Sequence, residues 1–157
     1  MKDIIKEAVE YLINNKTTIA TAESCTGGLI AKLITDFPGV SDIYSEGFIT
    51  YSNNAKIKNL GVSPRTLDKY GAVSPQTAEE MAIGARKVSG SQIGVSSTGI
   101  AGPGGATPTK PIGLVYIAVS TEQKCVVKQL NHSGTRQEVR QKTAEDIFSL
   151  ILEVVQQ

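Results

Sequence analysis

Thr21-Ala22-Glu23-Ser24-Cys25-Thr26-Gly27-Gly28 separates two stretches with different hydrophobic patterns. The apolar run before it, residues 17–20, is typical of a strand, and residues 29–34 after it have helical spacing. The pattern therefore predicts that Ser24 lies at a turn from a strand into a helix. The two glycines that end the stretch carry no side chain to block a ligand, and the free N–H groups of a helix start suit an anion. A small nucleophile at such a turn is well placed for acyl chemistry.

Two other roles for this stretch have to be weighed against a serine nucleophile. Ser24 and Thr26 are residue types that cap helix N-termini, so one alternative is that they only cap the helix. Cys25 is a rival nucleophile, because a nearby helix N-terminus lowers the pKa of a thiol. Free cysteine is, however, among the most buried residue types, and we expect Cys25 to pack under the turn.

The composition limits the classes of function. The chain has 157 residues, 40% of them hydrophobic, which predicts one domain over residues 1–157 with a sizeable core. A net charge of +1, 5% aromatic residues and no tryptophan argue against a nucleic-acid surface. We expect neither a signal peptide nor a membrane span, and two distant cysteines favour the reducing cytoplasm. The acidic residues are too scattered to predict a metal site.

Hydrophobic spacing and turn residues predict alternating helices and strands. Helices are expected over residues 2–15, 27–36, 55–60 and 75–89, with a short one starting at Ser63-Pro64 and the last starting at the capping box Thr135-Arg136-Gln137-Glu138. Strands are expected over residues 17–22, 44–51, 92–98, 113–121 and 125–130, the last two as a hairpin. This order predicts an α/β fold, a single-domain sandwich with a mixed β-sheet flanked by helices, and leaves the strand order open.

A second junction between a predicted strand and a helix contains Tyr51 and Lys56. A serine nucleophile needs a base, and a lysine whose pKa is lowered by burial to roughly 7–8 can serve as one. Tyr51 can relay a proton between Ser24 and Lys56. His132 is the only histidine, and its position indicates no Ser-His-Asp triad. The alternative is that Lys56 is a solvated helix lysine, since most lysines are exposed.

The loop after Thr98, residues 99–105, is rich in glycine. Backbone N–H groups at such glycines can converge on an anion or a flat ligand, and the candidates are Gly99, Gly102 and Gly104. The loop matches neither a Walker motif nor a dinucleotide fingerprint. Its alternative role is a plain tight connection.

The start of the last helix is a second candidate for binding an anion. Arg136 and Arg140 are four residues apart and share one helix face. Together with the free N–H groups after Ser133-Gly134 they can hold a phosphate. The alternative is a solvated pair of arginines balanced by Glu138.

Four motifs together resemble the CinA C-terminal domain family, whose characterised activity is nicotinamide-nucleotide amidase. The motifs are residues 21–28, Gly47-Phe48-Ile49-Thr50-Tyr51-Ser52-Asn53 with Lys56, Gly71-Ala72-Val73-Ser74, and Thr98-Gly99-Ile100-Ala101-Gly102-Pro103-Gly104-Gly105. They agree with the family in order and spacing across nearly the whole chain. The resemblance implies hydrolysis of the carboxamide of nicotinamide mononucleotide to nicotinic acid mononucleotide and ammonia.

The resemblance also implies roles for individual residues. It makes Ser24 the nucleophile, with Lys56 and Tyr51 as general base and relay, and needs no metal or cofactor. Backbone N–H groups around Thr26, Gly27 and Gly28 are expected to stabilise the oxyanion. The substrate contacts that the resemblance implies are Thr98, Gly99, Gly102 and Gly104 of the glycine loop, and Arg140. Arg136 is expected beside them from the start of the last helix.

Several alternatives stay open at this point. One is a nucleotide-binding regulatory module without turnover, and a second is an amidase or esterase for another small nucleotide or pyridine compound. A homodimer is expected, with no nucleic-acid or membrane partner. Some family members carry an N-terminal domain with pyrophosphatase-type activity, and because Met1 directly precedes the first helix we expect the stand-alone form here.

Overall fold

The computed structural model describes residues 2–157. The helices in this range are α1 (Lys2–Asn14), α2 (Leu29–Thr35), α3 (Asn53–Leu60), α4 (Pro64–Tyr70), α5 (Pro75–Ser89) and α6 (Arg136–Val155), with a short 3₁₀ helix at Val40–Asp42. The strands are β1 (Ile19–Glu23), β2 (Gly47–Ile49), β3 (Ile93–Gly99), β4 (Leu114–Ser120) and β5 (Cys125–Asn131). Across this range no helix combines the length and the apolar character that a membrane span requires.

The five strands form one mixed sheet in the order β2-β1-β3-β4-β5. The strand β1 lies between β2 and β3 and is parallel to both, whereas β3, β4 and β5 are antiparallel neighbours. The predicted mixed sheet and the predicted hairpin of the last two strands are confirmed. The strand order, which the sequence left open, places the Ser24 turn at the end of an inner strand.

Helices cover both faces of the sheet, as the α/β prediction requires. Ile19 on β1 faces a core built with α1, α2 and α6, while the next residue, Ala20, faces α3, α4 and α5. This alternation follows from the two-residue period of a strand. On the second face α5 packs so closely that only a glycine fits at position 94 of β3. A Cβ at Gly94 would lie 2.1 Å from the carbonyl oxygen of Ala82.

Two predicted elements are shorter than expected. The second strand was predicted over residues 44–51 but covers only Gly47–Ile49. Its predicted start is not extended, because the amide of Tyr44 donates back to the carbonyl oxygen of Val40 at 2.8 Å. The second helix was predicted from residue 27. It begins at Leu29, since the two preceding glycines have φ values of +57° and +105°, which an α-helix does not allow.

The other boundaries agree with the predictions to within about two residues, a normal uncertainty for element ends. The helix α5 has the predicted bounds, and Ser74 caps it by accepting a hydrogen bond from the amide of Thr77. The capping box of α6 is formed by Thr135 and Glu138, as predicted.

The three parallel strands end at the same edge of the sheet. Ser24 follows β1, the segment from Thr50 to Lys56 follows β2, and Thr98 lies near the end of β3. Ligands of open α/β sheets bind outside the carboxyl ends of the strands. The topology therefore brings most of the predicted site residues to one place.

The packing of α3 on α5 is tested by Gly84→Ala. A Cβ at this mid-helix position would lie 2.1 Å from the carbonyl oxygen of Leu60, at the end of the helix that carries Lys56. Alanine favours a helix over glycine by about 1 kcal/mol, but overpacking costs about 1–3 kcal/mol. We expect a lower free energy of unfolding in urea, whereas the exposed Val88→Ala on the same helix should change it little. A Gly84→Ala protein as stable as the parent would show that the two helices can move apart.

Candidate active site

The backbone of the Ser24 turn is held on both sides. The amide of Ser24 donates to the carbonyl oxygen of Ser97 on β3 at 3.0 Å. Its own carbonyl oxygen accepts from the amide of Gly27 at 3.1 Å, which closes the turn. The side chain is half-buried and borders a cavity. The prediction that Ser24 lies where a strand turns towards a helix is confirmed.

Lys56 is fully buried, and it is among the largest fully buried side chains of the residues whose burial the structure describes. It projects from α3, whose start is fixed by Ser52, the N-cap that accepts from the amide of Ala55. The Lys56 ammonium nitrogen, Nζ, lies 2.7 Å from the carbonyl oxygen of Thr50 and 3.3 Å from that of Tyr51. Its third partner is the Ser24 hydroxyl oxygen, at 3.1 Å. The alternative of a solvated lysine is therefore wrong.

These three contacts determine how a neutral Lys56 amine must be oriented. The carbonyl oxygens of Thr50 and Tyr51 can only accept hydrogen bonds, so both N–H groups of the neutral amine point to them. Its lone pair is then left for the only partner that can donate, the hydroxyl of Ser24. Burial lowers the pKa of Lys56 to about 8. A neutral base beside the serine is thus populated near neutral pH.

Cys25 lies beneath the turn. Its side chain is buried, which confirms the expectation from the sequence. Burial raises the pKa of the thiol to about 12, so it stays protonated near neutral pH. A protonated thiol is a poor nucleophile. The environment of Cys25 therefore favours Ser24 as the reactive group of this turn.

Glu23, buried at the end of β1, holds the start of α2. One carboxylate oxygen accepts from the amide of Ile30 at 2.8 Å and from the Thr26 hydroxyl at 2.7 Å. The other oxygen accepts from the amide of Ala31 at 3.1 Å. The interpretation of Ser24 and Thr26 as side-chain caps is wrong, since the helix N–H groups are bound by this carboxylate and the N-cap position, Gly28, makes no side-chain bond.

At the sequence level Glu23 was considered only as a possible metal ligand, which was rejected because the acidic residues are too scattered, and its role at the helix start was missed. One signal was available: its position at the end of a strand with little polar character, where a buried acid needs hydrogen-bond donors. Within residues 2–157 no group of three or more His, Cys, Asp and Glu side chains is placed to hold a metal ion.

The two arginines predicted to share a phosphate lie in different places. Arg140 is half-buried and donates to the carbonyl oxygens of Cys25 at 3.1 Å and Thr26 at 2.7 Å. It therefore fastens α6 to the turn. Arg136 is exposed at the mouth of the cavity, where it donates to the carbonyl oxygen of Gly102 at 2.9 Å and to the Tyr51 hydroxyl at 3.0 Å.

A cavity of about 380 Å³ opens beside Ser24 and Lys56. The predicted residues that line it are Ser24, Tyr51, Lys56, Thr98, Gly99, Gly102, Gly104 and Arg136. The predicted residues that do not are Thr26, Gly27, Gly28 and Arg140, all of which lie behind the turn or on it. A larger depression of about 600 Å³ lies at the other end of the sheet and contains neither the serine nor the lysine.

Two walls of the cavity come from segments whose place at the site the sequence analysis predicted only in part. The Thr98 hydroxyl donates to the carbonyl oxygen of Ala72 at 2.7 Å, so it fastens the segment after α4 to the end of β3. Ala72 and Val73 of that segment line the cavity opposite the glycine loop.

Tyr51 is 61% exposed, and its hydroxyl reaches Arg136 while only its backbone carbonyl meets Lys56. Lys56 and Ser24 meet without an intermediate group.

The burial of the Lys56 amine is tested by Lys56→Met. The pKa is lowered from 10.5 to about 8, so between these values the unfolded chain holds a proton that the folded chain has released. The free energy of unfolding must therefore rise with pH in this window. We expect the value for the parent minus that for Lys56→Met to increase by about 2 kcal/mol between pH 8 and pH 10. Urea denaturation at each pH measures it, and a constant or falling difference would contradict a lowered pKa.

Comparison with known proteins gives a consistent result. The chain is 37% identical to the competence/damage inducible protein CihA of Agrobacterium tumefaciens, with a TM-score of 0.93 over 97% of this chain and 93% of that one. A competence-damaged protein (CinA) superfamily protein of Escherichia coli gives 29% identity and a TM-score of 0.93, over 98% of this chain and 89% of that one.

Curated relatives are closer in sequence but longer. A protein of Acetivibrio thermocellus that carries the name of a competence-damage inducible protein is 51% identical over 92% of this chain. The chain spans about a third of the length of such relatives, 35% in this case. A family model described as the CinA C-terminal domain matches residues 1–155. The chain therefore belongs to the CinA C-terminal domain family.

Proposed function

We propose that this protein is an amidase that hydrolyses nicotinamide mononucleotide to nicotinic acid mononucleotide and ammonia, with Ser24 as the nucleophile. The observation that carries the proposal is the 3.1 Å contact between the Lys56 amine and the Ser24 hydroxyl at the edge of a cavity. Serine-lysine pairs of this kind perform acyl transfer. The identity of the substrate rests on the family resemblance.

In the first half of the reaction Ser24 attacks the carboxamide carbon. Neutral Lys56 accepts the hydroxyl proton as the new C–O bond forms, and the carbonyl oxygen becomes an oxyanion. The amide of Gly27 is bound to the Ser24 carbonyl oxygen. In the described part of the chain the amide of Cys25 donates to no other residue, and Cys25 lines the cavity. We assign the oxyanion to this amide, a contact worth roughly 3–4 kcal/mol in comparable sites.

In the second half the tetrahedral intermediate collapses. Lys56 returns its proton to the leaving nitrogen, the C–N bond breaks, and ammonia departs to leave an ester on Ser24. Water then attacks the ester carbon and gives a proton to the lysine. The C–O bond to Ser24 breaks, the proton returns to the serine oxygen, and the acid product leaves.

The shape and charge of the cavity support a small nucleotide. Its volume of about 380 Å³ falls in the usual range for small-molecule sites. Val73 and Ile100 provide apolar surface for a flat ring near the serine. Arg136 stands at the mouth beside Gly102 and Gly104, where a guanidinium and backbone N–H groups can hold a phosphate.

Ammonia release from nicotinamide mononucleotide tests the proposal. We expect Ser24→Ala to lower turnover by about 10⁴-fold or more, because the nucleophile is lost. Lys56→Met should lower it by far more than Cys25→Ala does, since the buried thiol stays protonated. The kcat/KM of the parent should rise as pH increases through about 8, as Lys56 loses its proton.

Three results would contradict this assignment. Equal ammonia release from the parent and from Ser24→Ala would remove the serine from the mechanism. No release by a parent protein that still binds the nucleotide would make the chain a binding module. Release from another small nucleotide alone would keep the amidase chemistry and change the substrate.

The role of Arg136 is tested by Arg136→Ala. Loss of a charged hydrogen bond to phosphate should cost about 1.5–3 kcal/mol, which raises the KM for nicotinamide mononucleotide roughly 10–100-fold. The exposed Arg65→Ala on α4 removes the same charge away from the cavity and should leave the KM unchanged. Hydrolysis of free nicotinamide, which lacks phosphate, should not respond to Arg136→Ala. Parallel losses with both substrates would place Arg136 in the scaffold instead of the phosphate site.

A further inference from the structure

We propose that Glu23 is a positioning residue for Ser24 and acts through Thr26 and Ser97. The inference rests on the proposed role of Ser24 as a nucleophile. The Glu23 side chain points into the layer of α2 and does not line the cavity, so it touches neither the substrate nor the reacting atoms. Its effect would be to keep the Ser24 hydroxyl within reach of the Lys56 amine.

Three hydrogen bonds to one carboxylate join parts of the chain that flank the nucleophile. The amides of Ile30 and Ala31 lie at the start of α2, and the Thr26 hydroxyl lies in the turn itself. Glu23 is 1% exposed and Thr26 is fully buried, so water does not compete for these bonds. The end of β1, the turn and the start of α2 therefore move together, with Ser24 between them.

Ser97 ties this unit to the neighbouring strand. It pairs with Glu23 in the register of β1 and β3, and its carbonyl oxygen accepts from the amide of Ser24 at 3.0 Å. Its hydroxyl lies 2.7 Å from that of Thr26. Because Thr26 gives its one hydroxyl proton to Glu23, Ser97 must be the donor in this contact. The proton chain Ser97 to Thr26 to Glu23 thus has one direction and ends on the carboxylate.

A carboxylate suits this place better than an amide does. Both Glu23 oxygens act only as acceptors, and together they receive three donors. A glutamine has a single acceptor oxygen, and its NH₂ group would face at least one of these donors. Glu23→Gln should therefore shift the turn while it keeps nearly the same volume.

The experiment compares kcat and KM of Glu23→Gln, Thr26→Val and Ser97→Ala with those of Ser96→Ala. Ser96 is the matched control, because it is equally buried on β3 and donates one hydrogen bond to the carbonyl of Ala78 on the opposite face. We expect kcat per folded molecule to fall about 100-fold in Glu23→Gln, the scale for a misplacement of about 1 Å. KM should stay unchanged, and Ser96→Ala should keep its kcat.

A second readout does not depend on the natural substrate. A fluorophosphonate forms a P–O bond with Ser24 and releases fluoride as the hydroxyl proton passes to Lys56, and intact mass follows the rate. We expect Glu23→Gln to be labelled about 100-fold more slowly than the parent, and Ser96→Ala at the parent rate. A parent that is labelled but does not release ammonia overturns the proposed function. The labelling rates of Glu23→Gln and Ser96→Ala then decide the positioning role.

Other outcomes overturn the positioning role. Equal labelling and kcat in the parent and Glu23→Gln would reduce the carboxylate to a helix cap. The same would follow if Ser96→Ala lost as much kcat as Glu23→Gln at the same loss of thermal stability. If Glu23→Gln does not fold, Thr26→Val decides, because it keeps the carboxylate and removes only the hydroxyl that joins it to Ser97. A Thr26→Val protein with the kcat and labelling rate of the parent would end the proposal.

Discussion

The buried amine of Lys56 is the constraint on which the arrangement around Ser24 depends. An amine without water needs polar partners, and this one finds them in two carbonyl oxygens at the end of β2 and in the Ser24 hydroxyl. Those carbonyls are available because β2 ends at Ile49 and the chain turns directly into α3. Three features together place Lys56 Nζ beside the Ser24 hydroxyl oxygen. They are the short edge strand, the N-cap at Ser52 and the packing of α3 on α5.

The site combines a rigid floor with an open entrance. The floor is the Ser24 turn, which Glu23 holds from within, Ser97 from the neighbouring strand and Arg140 from α6. The entrance is formed by exposed groups, Tyr51 and Arg136, whose contact with each other is accessible to solvent. A firmly held backbone at Ser24 and exposed groups at the rim suit the different demands of bond formation and ligand entry.

Local signals in the sequence predicted much of this fold. The helix α5 has its predicted bounds because a Ser-Pro start and a closing glycine act on the adjacent backbone alone. The role of Glu23 was missed because two of its three partners, the amides of Ile30 and Ala31, lie seven and eight residues away, and only the fold brings them to the carboxylate. Arg140 has the spacing of a phosphate ligand, and no local pattern distinguishes that role from a bond to carbonyls of a turn 115 residues earlier. A contact between Ser24 and Lys56 was expected because a serine nucleophile needs a base. That the two side chains meet without Tyr51 between them depends on the strand order, which the sequence left open.

The bond from Arg140 to the turn also has a consequence for biosynthesis. Ser24 is synthesised before α6, and α6 carries the Arg140 guanidinium that fastens the Ser24 turn. A ribosome-bound chain that lacks α6 has the serine, the lysine and all five strands, but not the bond that secures the floor. The floor of the site is therefore fastened only after α6 has been synthesised and has packed against the turn.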